Sequence, residues 1–234
     1  MIVLAPSRRS RNAAALTGLS IALVLPAILS AGAGGNLPGR IQAASEIAIN
    51  EAVVWALALA IMTVVIVWER RPLSSIGLVR PSWTAFLYGG GVMAGLLILA
   101  LGAATLIQSA GFPVDNDTQA QLVIGLPIWL QIFVAISAGV TEEILFRGYP
   151  IERITELTGS RWVGAIVPII VFGAVHAPFW GVAHAVVAGL QGMLLTIVYL
   201  WRRNLWTNIT AHALLDGFVF VVLDVATSHG TTNL

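Results

Sequence analysis

The chain has 234 residues, of which 58% are hydrophobic and 10% charged, with a formal net charge of +1. Soluble domains carry about 25% charged residues, so this composition excludes a water-exposed globule and describes a polytopic membrane protein. All 12 basic residues are Arg, scattered at the edges of apolar runs, which excludes the contiguous basic face of a nucleic-acid binder; the absence of Cys excludes disulfides, thiolate zinc sites, iron–sulfur clusters and Cys nucleophiles.

Seven apolar segments approach the length of about 20 residues that a spanning helix needs. They cover 13–32, 47–68, 84–108, 126–147, 162–180, 182–201 and 205–226. Turn chemistry separates them: Gly34-Gly35-Asn36, Arg70-Arg71-Pro72, Gly111-Phe112-Pro113, Gly159-Ser160 and Arg202-Arg203-Asn204. No strand alternation and no internal repeat competes, so the expected fold class is all-α, a transmembrane helical bundle of about seven spanning helices. Residues 114–125 form a polar loop with Asp115, Asn116 and Asp117, and 227–234 a polar tail that includes His229. The first segment, preceded by Arg8, Arg9 and Arg11, has features of a signal peptide but is long for one, and is read as a retained span.

Orientation follows from Arg. With the N-terminus in the cytoplasm, Arg8, Arg9, Arg11, Arg70, Arg71, Arg80, Arg147, Arg153, Arg161, Arg202 and Arg203 fall inside and only Arg40 outside, as the positive-inside rule requires. Trp68, Trp83, Trp129, Trp162, Trp180, Trp201 and Trp206 sit near segment ends, as in an interfacial aromatic belt.

Ionisable residues inside spans are costly and mark function. The first segments hold almost none; the unusual residues gather in the C-terminal half. In the fourth segment Glu143 and Arg147 are i,i+4 neighbours, able to form an ion pair. Glu142 lies about 100° round the helix and has no local partner, so it must be paired across helices, protonated or bound to something. His176 in the fifth segment is i+4 from Phe172, and His212 and Asp216 in the seventh share a face. Glu142 stands 17 residues before Gly159 and His176 17 after it, so an antiparallel hairpin with its turn at Gly159-Ser160 brings them level. That requires the fourth helix to continue past Arg147, which Ile151, Ile154 and Leu157 allow and Pro150 could kink. His184 reads as an interface residue, Asp224 as interfacial, and Gly89-Gly90-Gly91 with Gly95 as a stripe for close helix packing.

Together, Glu142-Glu143-x-x-x-Arg147, Phe172-x-x-x-His176 and His212-x-x-x-Asp216 resemble the three signature motifs of the CPBP intramembrane proteases, which include the type II CAAX prenyl endopeptidases and bacteriocin-processing or immunity proteins. The resemblance covers about 126–220; Ser75-Ile76-Gly77-Leu78 also looks like a short cytoplasmic motif found in members. It implies three regions: N-terminal transmembrane helices over 1–125, a catalytic transmembrane core over 126–226 and the tail. It implies peptide-bond hydrolysis within the membrane, with Glu142 and His176 activating water; separately, the absence of Lys beside abundant Arg and Ala points to a prokaryotic plasma membrane. His212 and Asp216 would stabilise the oxyanion, and Glu143 and Arg147 support them as the ion pair. Many members carry Asn where this chain has Asp216; an ionised Asp would repel an oxyanion, so Asp216 would be protonated, orient His212 or bind a metal. Glu142, His176, His212 and Asp216 make a two-His, two-carboxylate set that zinc accepts, yet no H-E-x-x-H helix demands it; the site is expected to be of glutamate type with no required cofactor, and a metallo type with zinc on these four residues is the alternative. The expected partners are the lipid bilayer and a membrane-associated peptide or protein, prenylated or not. The competing readings are a non-catalytic immunity or scaffold protein using the same cavity, and a proton-coupled transporter, against which the lack of inverted repeats argues.

Overall fold

The computed structural model describes residues 8–33, 40–112, 123 and 125–230. Every regular element among them is helical. Six helices are long and apolar enough to cross a membrane: α1 (Arg9–Ala31), α2 (Ile47–Trp68), α3 (Trp83–Ser109), α4 (Ile128–Thr158), α5 (Arg161–Arg202) and α6 (Leu205–Val222). The protein is thus an all-α, multi-pass integral membrane protein. Of the expected polar loop over 114–125, residues 114–122 and 124 lie outside the described residues, as do the Gly34-Gly35-Asn36 turn and the side chains of Arg40, Asp224 and His229. The backbone of α6 remains helical as far as Gly230.

The difference between six helices and seven segments is resolved within α5. A straight helix of its 42 residues would extend about 63 Å, at 1.5 Å per residue, roughly twice the hydrocarbon thickness of a bilayer. Instead the backbone leaves helical geometry at Gly181 (φ 76°, ψ 167°), a region that only Gly adopts readily. The two arms then fold back on each other: a Cβ added to Gly173 would stand 3.1 Å from the Ala185 carbonyl oxygen and 3.4 Å from Gly189 Cα. The segments 162–180 and 182–201 are therefore the arms of a hairpin.

The other hairpin, α4 to the first arm of α5, carries the register expected from sequence. Helix α4 is α-helical to Glu143, makes a π-helical turn over Ile144–Gly148, and resumes as α-helix over Tyr149–Thr158. Pro150 begins that last stretch, so its missing N–H falls next to the π turn, where the regular hydrogen-bond ladder is already interrupted. Gly159 closes the helix in the left-handed conformation (φ 71°), and the Ser160 hydroxyl accepts the Val163 N–H at 3.3 Å to start α5. Phe146 and Phe172, each 13 residues from Gly159, meet edge to face with centroids 5.2 Å apart. One helical turn further along both arms lie Glu142 and His176.

One end of the bundle is tied by buried charge. Arg153 donates to the Glu69 carboxylate from Nε at 2.9 Å and Nη2 at 2.6 Å, and Nη2 also reaches Ser75 Oγ at 3.1 Å. The Tyr149 hydroxyl donates to the same carboxylate at 2.9 Å. Glu152 accepts the Tyr199 hydroxyl at 3.0 Å and pairs with Arg203. A 3-10 turn over Leu73–Ile76 packs here and ends at Gly77 (φ 81°), where any Cβ would come within 2.6 Å of the Tyr199 ring. The Gly77 carbonyl accepts the Leu205 N–H at 2.9 Å, which fixes where α6 begins. Helix α1 belongs to the same core: Ala14, Ala22 and Leu23 are buried with Ile61, Val65 and Tyr149.

Apolar side chains dominate the outer surface, and Trp83, Trp129, Trp162 and Trp201 are exposed near helix ends, as an aromatic belt requires. The glycine stripe is only partly a packing device. Gly89 abuts Thr210 and the Thr207 carbonyl of α6, whereas Gly90 and Gly91 have no atom within 4 Å of an added Cβ and Gly95 meets only Leu194. A substitution pair tests the hairpin. Gly181→Ala should lower stability in detergent by about 1–3 kcal/mol, read as a fall in thermal unfolding temperature. Gly90→Ala should leave it within about 0.5 kcal/mol of the parent.

Candidate functional site

The centre of the site is the Glu143 carboxylate, fully buried in α4. A buried carboxylate without partners would be strongly destabilising, and here three donors reach it. Arg147 Nη1, one turn along α4, donates to Oε1 at 2.8 Å. Asn208 Nδ2 of α6 donates to Oε2 at 3.1 Å and also to the Leu195 carbonyl at 2.8 Å. His212 Nδ1 lies 3.0 Å from Oε1; since a carboxylate only accepts, Nδ1 is the donor. The Glu143–Arg147 pair expected from i,i+4 spacing is present and dry, with both side chains at 1% exposure or less.

Helices α4 and α6 can approach this closely because Gly139 faces Ala213: an added Cβ would stand 2.9 Å from Ala213 Cβ. With Nδ1 committed to Glu143, His212 turns Nε2 toward two other carboxylates. Glu142 Oε2 is 3.8 Å away and Asp216 Oδ2 3.5 Å. Glu142 thus finds its partner across helices, as an ion-pair neighbour. Its Oε2 takes no hydrogen bond from the chain. Glu142 and Asp216 retain about a quarter of their side-chain exposure (24% and 26%), so this face of the cluster is open.

His176 joins from the first arm of α5. Its Nδ1 lies 2.7 Å from the Phe172 carbonyl, so Nδ1 donates and the neutral ring keeps an Nε2 lone pair. Phe172 is the spacer of the site. Its ring lies tilted against His176 (centroids 4.5 Å apart, planes at 57°), meets His212 edge to face at 6.4 Å, and carries the Arg147 guanidinium 3.9 Å above its centroid. That cation–π contact satisfies the face of Arg147 whose Nη2 has no hydrogen-bond partner. The structure therefore gathers Glu142, Glu143, Arg147, His212 and Asp216 directly, and brings in His176 through Phe172.

Three features lie outside the sequence reading. Asn208 precedes His212 by four residues and extends its face by one turn, a spacing that could have identified it. His184, read as an interface residue, also stacks against Trp180 (5.0 Å) and His176 (6.1 Å) across the α5 hairpin. Glu51 of α2, in a region thought nearly free of charge, is buried and accepts the Ser137 hydroxyl of α4; its signal was a lone acid in an apolar run. As for zinc, among the described residues no group of three or more His, Cys, Asp or Glu is arranged to hold a metal ion. Nδ1 of each site His is used by the chain, which leaves Nε2 as the ligating nitrogen of each.

Residues 124–218 match the family model for Rce1-like type II CAAX prenyl endopeptidases. The match encloses every residue of the three motifs and leaves α1 to α3 outside. The chain is also similar to a Bacillus subtilis protein named "Putative membrane peptidase YdiL", with 29% identity over 109 residues. Those residues are 46% of this chain and 43% of the relative, so the chain spans less than half the length of the curated protein it matches. No solved structure matches. Both matches bear out the resemblance of the three motifs to the CPBP membrane-protease family.

The buried pair generates a contrast in stability. Arg147→Ala leaves the Glu143 charge undercompensated and should cost about 3–5 kcal/mol. Arg71→Ala removes the exposed Arg71–Glu156 pair (2.6 Å) and should cost no more than about 1 kcal/mol. Denaturant unfolding of the purified variants in detergent would measure both.

Proposed function

We propose that the protein is an intramembrane endopeptidase that hydrolyses a peptide bond of a membrane-associated protein or peptide near the cytoplasmic face. The observation that carries this reading is Glu142, a partly exposed side chain whose buried Oε2 takes no hydrogen bond while the neighbouring Glu143 is fully committed to Arg147, Asn208 and His212. Amide hydrolysis needs a base for water and a donor for the tetrahedral oxyanion. Glu142 takes a proton from water as the oxygen bonds to the scissile carbonyl carbon. The Nε2 lone pair of His176 accepts the water's second hydrogen bond. His212, held by Glu143 through Nδ1, donates from Nε2 to the oxyanion. Asp216 orients His212 and balances its charge, which suits an Asp better than direct contact with an oxyanion. When the C–N bond breaks, the proton on Glu142 passes to the leaving nitrogen. No step requires a metal.

The arginine distribution supports a cytoplasmic N-terminus, and the high Arg and Ala content with no Lys supports a prokaryotic plasma membrane. The substrate is a membrane-bound peptide segment; a prenylated C-terminal Cys is the first candidate because the matched family model carries that name.

A quenched peptide with a prenylated Cys, beside an unprenylated control, tests the activity on purified protein in detergent. Glu142→Gln should lower turnover by about 10²-fold or more while peptide affinity stays within about threefold of wild type. Equal cleavage by wild type and Glu142→Gln would contradict the assignment. Binding without cleavage in both would favour an immunity or scaffold protein.

A further inference from the structure

Arg202 closes α5 and has no part in this mechanism. The acids at its end of the bundle are engaged elsewhere: Glu69 and Glu156 by Arg153 and Arg71, Glu152 by Arg203. Among the described residues no acid pairs with Arg202; aromatic rings hold it instead. Its guanidinium lies 3.8 Å over the Tyr88 ring of α3 and 5.2 Å over that of Trp201, and the two rings meet edge to face at 5.7 Å. A cation–π contact satisfies the flat face of a guanidinium, whereas the N–H donors lie in its plane and point past the rings. Nε is buried without a hydrogen-bond partner. The group that completes such a cation is an anion with two oxygens in that plane.

Tyr88 also forms the wall of a hollow on the outer face of α3. Thr84, Leu87, Tyr88, Gly91 and Val92 line a volume of about 480 Å³. Gly91 opens it, since no atom lies within 4 Å of a Cβ added there. The hollow starts in the first turn of α3, at the level of Arg202, and runs about 12 Å along the helix at 1.5 Å per residue. A cation at the Arg-rich end, continued toward the membrane interior by an apolar hollow, has the layout of a phospholipid. We propose that Arg202 and this hollow bind one anionic phospholipid, its phosphate accepting from the guanidinium and one acyl chain lying along α3. Basic pockets between spans on the cytoplasmic side take lipid headgroups in this way. The lipid's net charge balances a cation that no described acid balances, which a zwitterionic lipid with its own ammonium does less well. Within the bilayer, packing rather than exclusion from water seats the chain, so the shape left by Gly91 matters. None of these residues belongs to the cluster around Glu143, and the site does not depend on the endopeptidase reading.

Native mass spectrometry of the purified protein in nonionic detergent tests the site by titration with phosphatidylglycerol, phosphatidylcholine or chainless glycerol phosphate. Wild type should hold one phosphatidylglycerol about fivefold more tightly than phosphatidylcholine, the attraction expected of one Arg, and should not hold glycerol phosphate at the same concentrations. Arg202→Gln should abolish the preference. Gly91→Leu, which fills the hollow, should weaken both lipids about threefold or more through lost contacts. Arg71→Gln, at an exposed cation of the same end, should leave both unchanged. Thermal unfolding without added lipid checks that each variant is folded; if Arg202→Gln is not, Gly91→Leu and the glycerol phosphate arm decide. A preference that survives in Arg202→Gln, or wild-type affinity in Gly91→Leu, overturns the inference. So does glycerol phosphate bound as tightly as the lipid, or a second copy of the chain in place of the lipid adduct.

Discussion

A single buried carboxylate organises this protein. Glu143 sits where water does not reach, and a charge there is tolerated only when donors surround it. Those donors come from two helices: Arg147 from the next turn of α4, Asn208 and His212 from α6. Meeting that requirement forces α4 and α6 together at Gly139 and Ala213 and fixes the rotation of α6. It also commits Nδ1 of His212, and so aims Nε2 at Glu142 and Asp216. Arg147, held by Glu143, then covers the Phe172 ring, and Phe172 places His176. Every group assigned to chemistry is reached from Glu143 in at most three contacts.

The same residue separates two roles that adjacent carboxylates could otherwise exchange. Glu142 and Glu143 are neighbours in sequence, but helical geometry turns them about 100° apart. One faces the closed interior between α4 and α6, and the other an open face with a quarter of its side chain exposed. Far from the site, the Glu69–Arg153 and Glu152–Arg203 pairs tie α2, α4 and α5 at the Arg-rich end.

Much of this was legible from residue order because it rests on helical spacing. The pairs Glu143/Arg147, Phe172/His176 and His212/Asp216 are each four apart, and counting outward from Gly159 correctly set the hairpin register that Phe146 and Phe172 confirm. The break between 162–180 and 182–201 was readable because Gly181 interrupts two apolar runs, although the helix is nearly continuous through it. What was not legible depends on contacts between distant segments. Nothing near Glu51 in sequence points to Ser137, 86 residues away. His184 looked peripheral because its stacking on His176 exists only once the α5 arms close. The glycine stripe misled in part because spacing cannot tell a face that meets another helix from one that meets none.

Glu143 has two separable effects, holding the helices and orienting His212. The double variant Glu143→Gln, Arg147→Met separates them, since replacing a buried ion pair by neutral groups of similar volume is often harmless to stability. Unfolding temperature and peptide turnover should be measured together on this variant. The unfolding temperature should stay near that of wild type while turnover falls by about 10²-fold, because His212 has lost the charged acceptor that aims its ring. Full turnover in a stable double variant would contradict it.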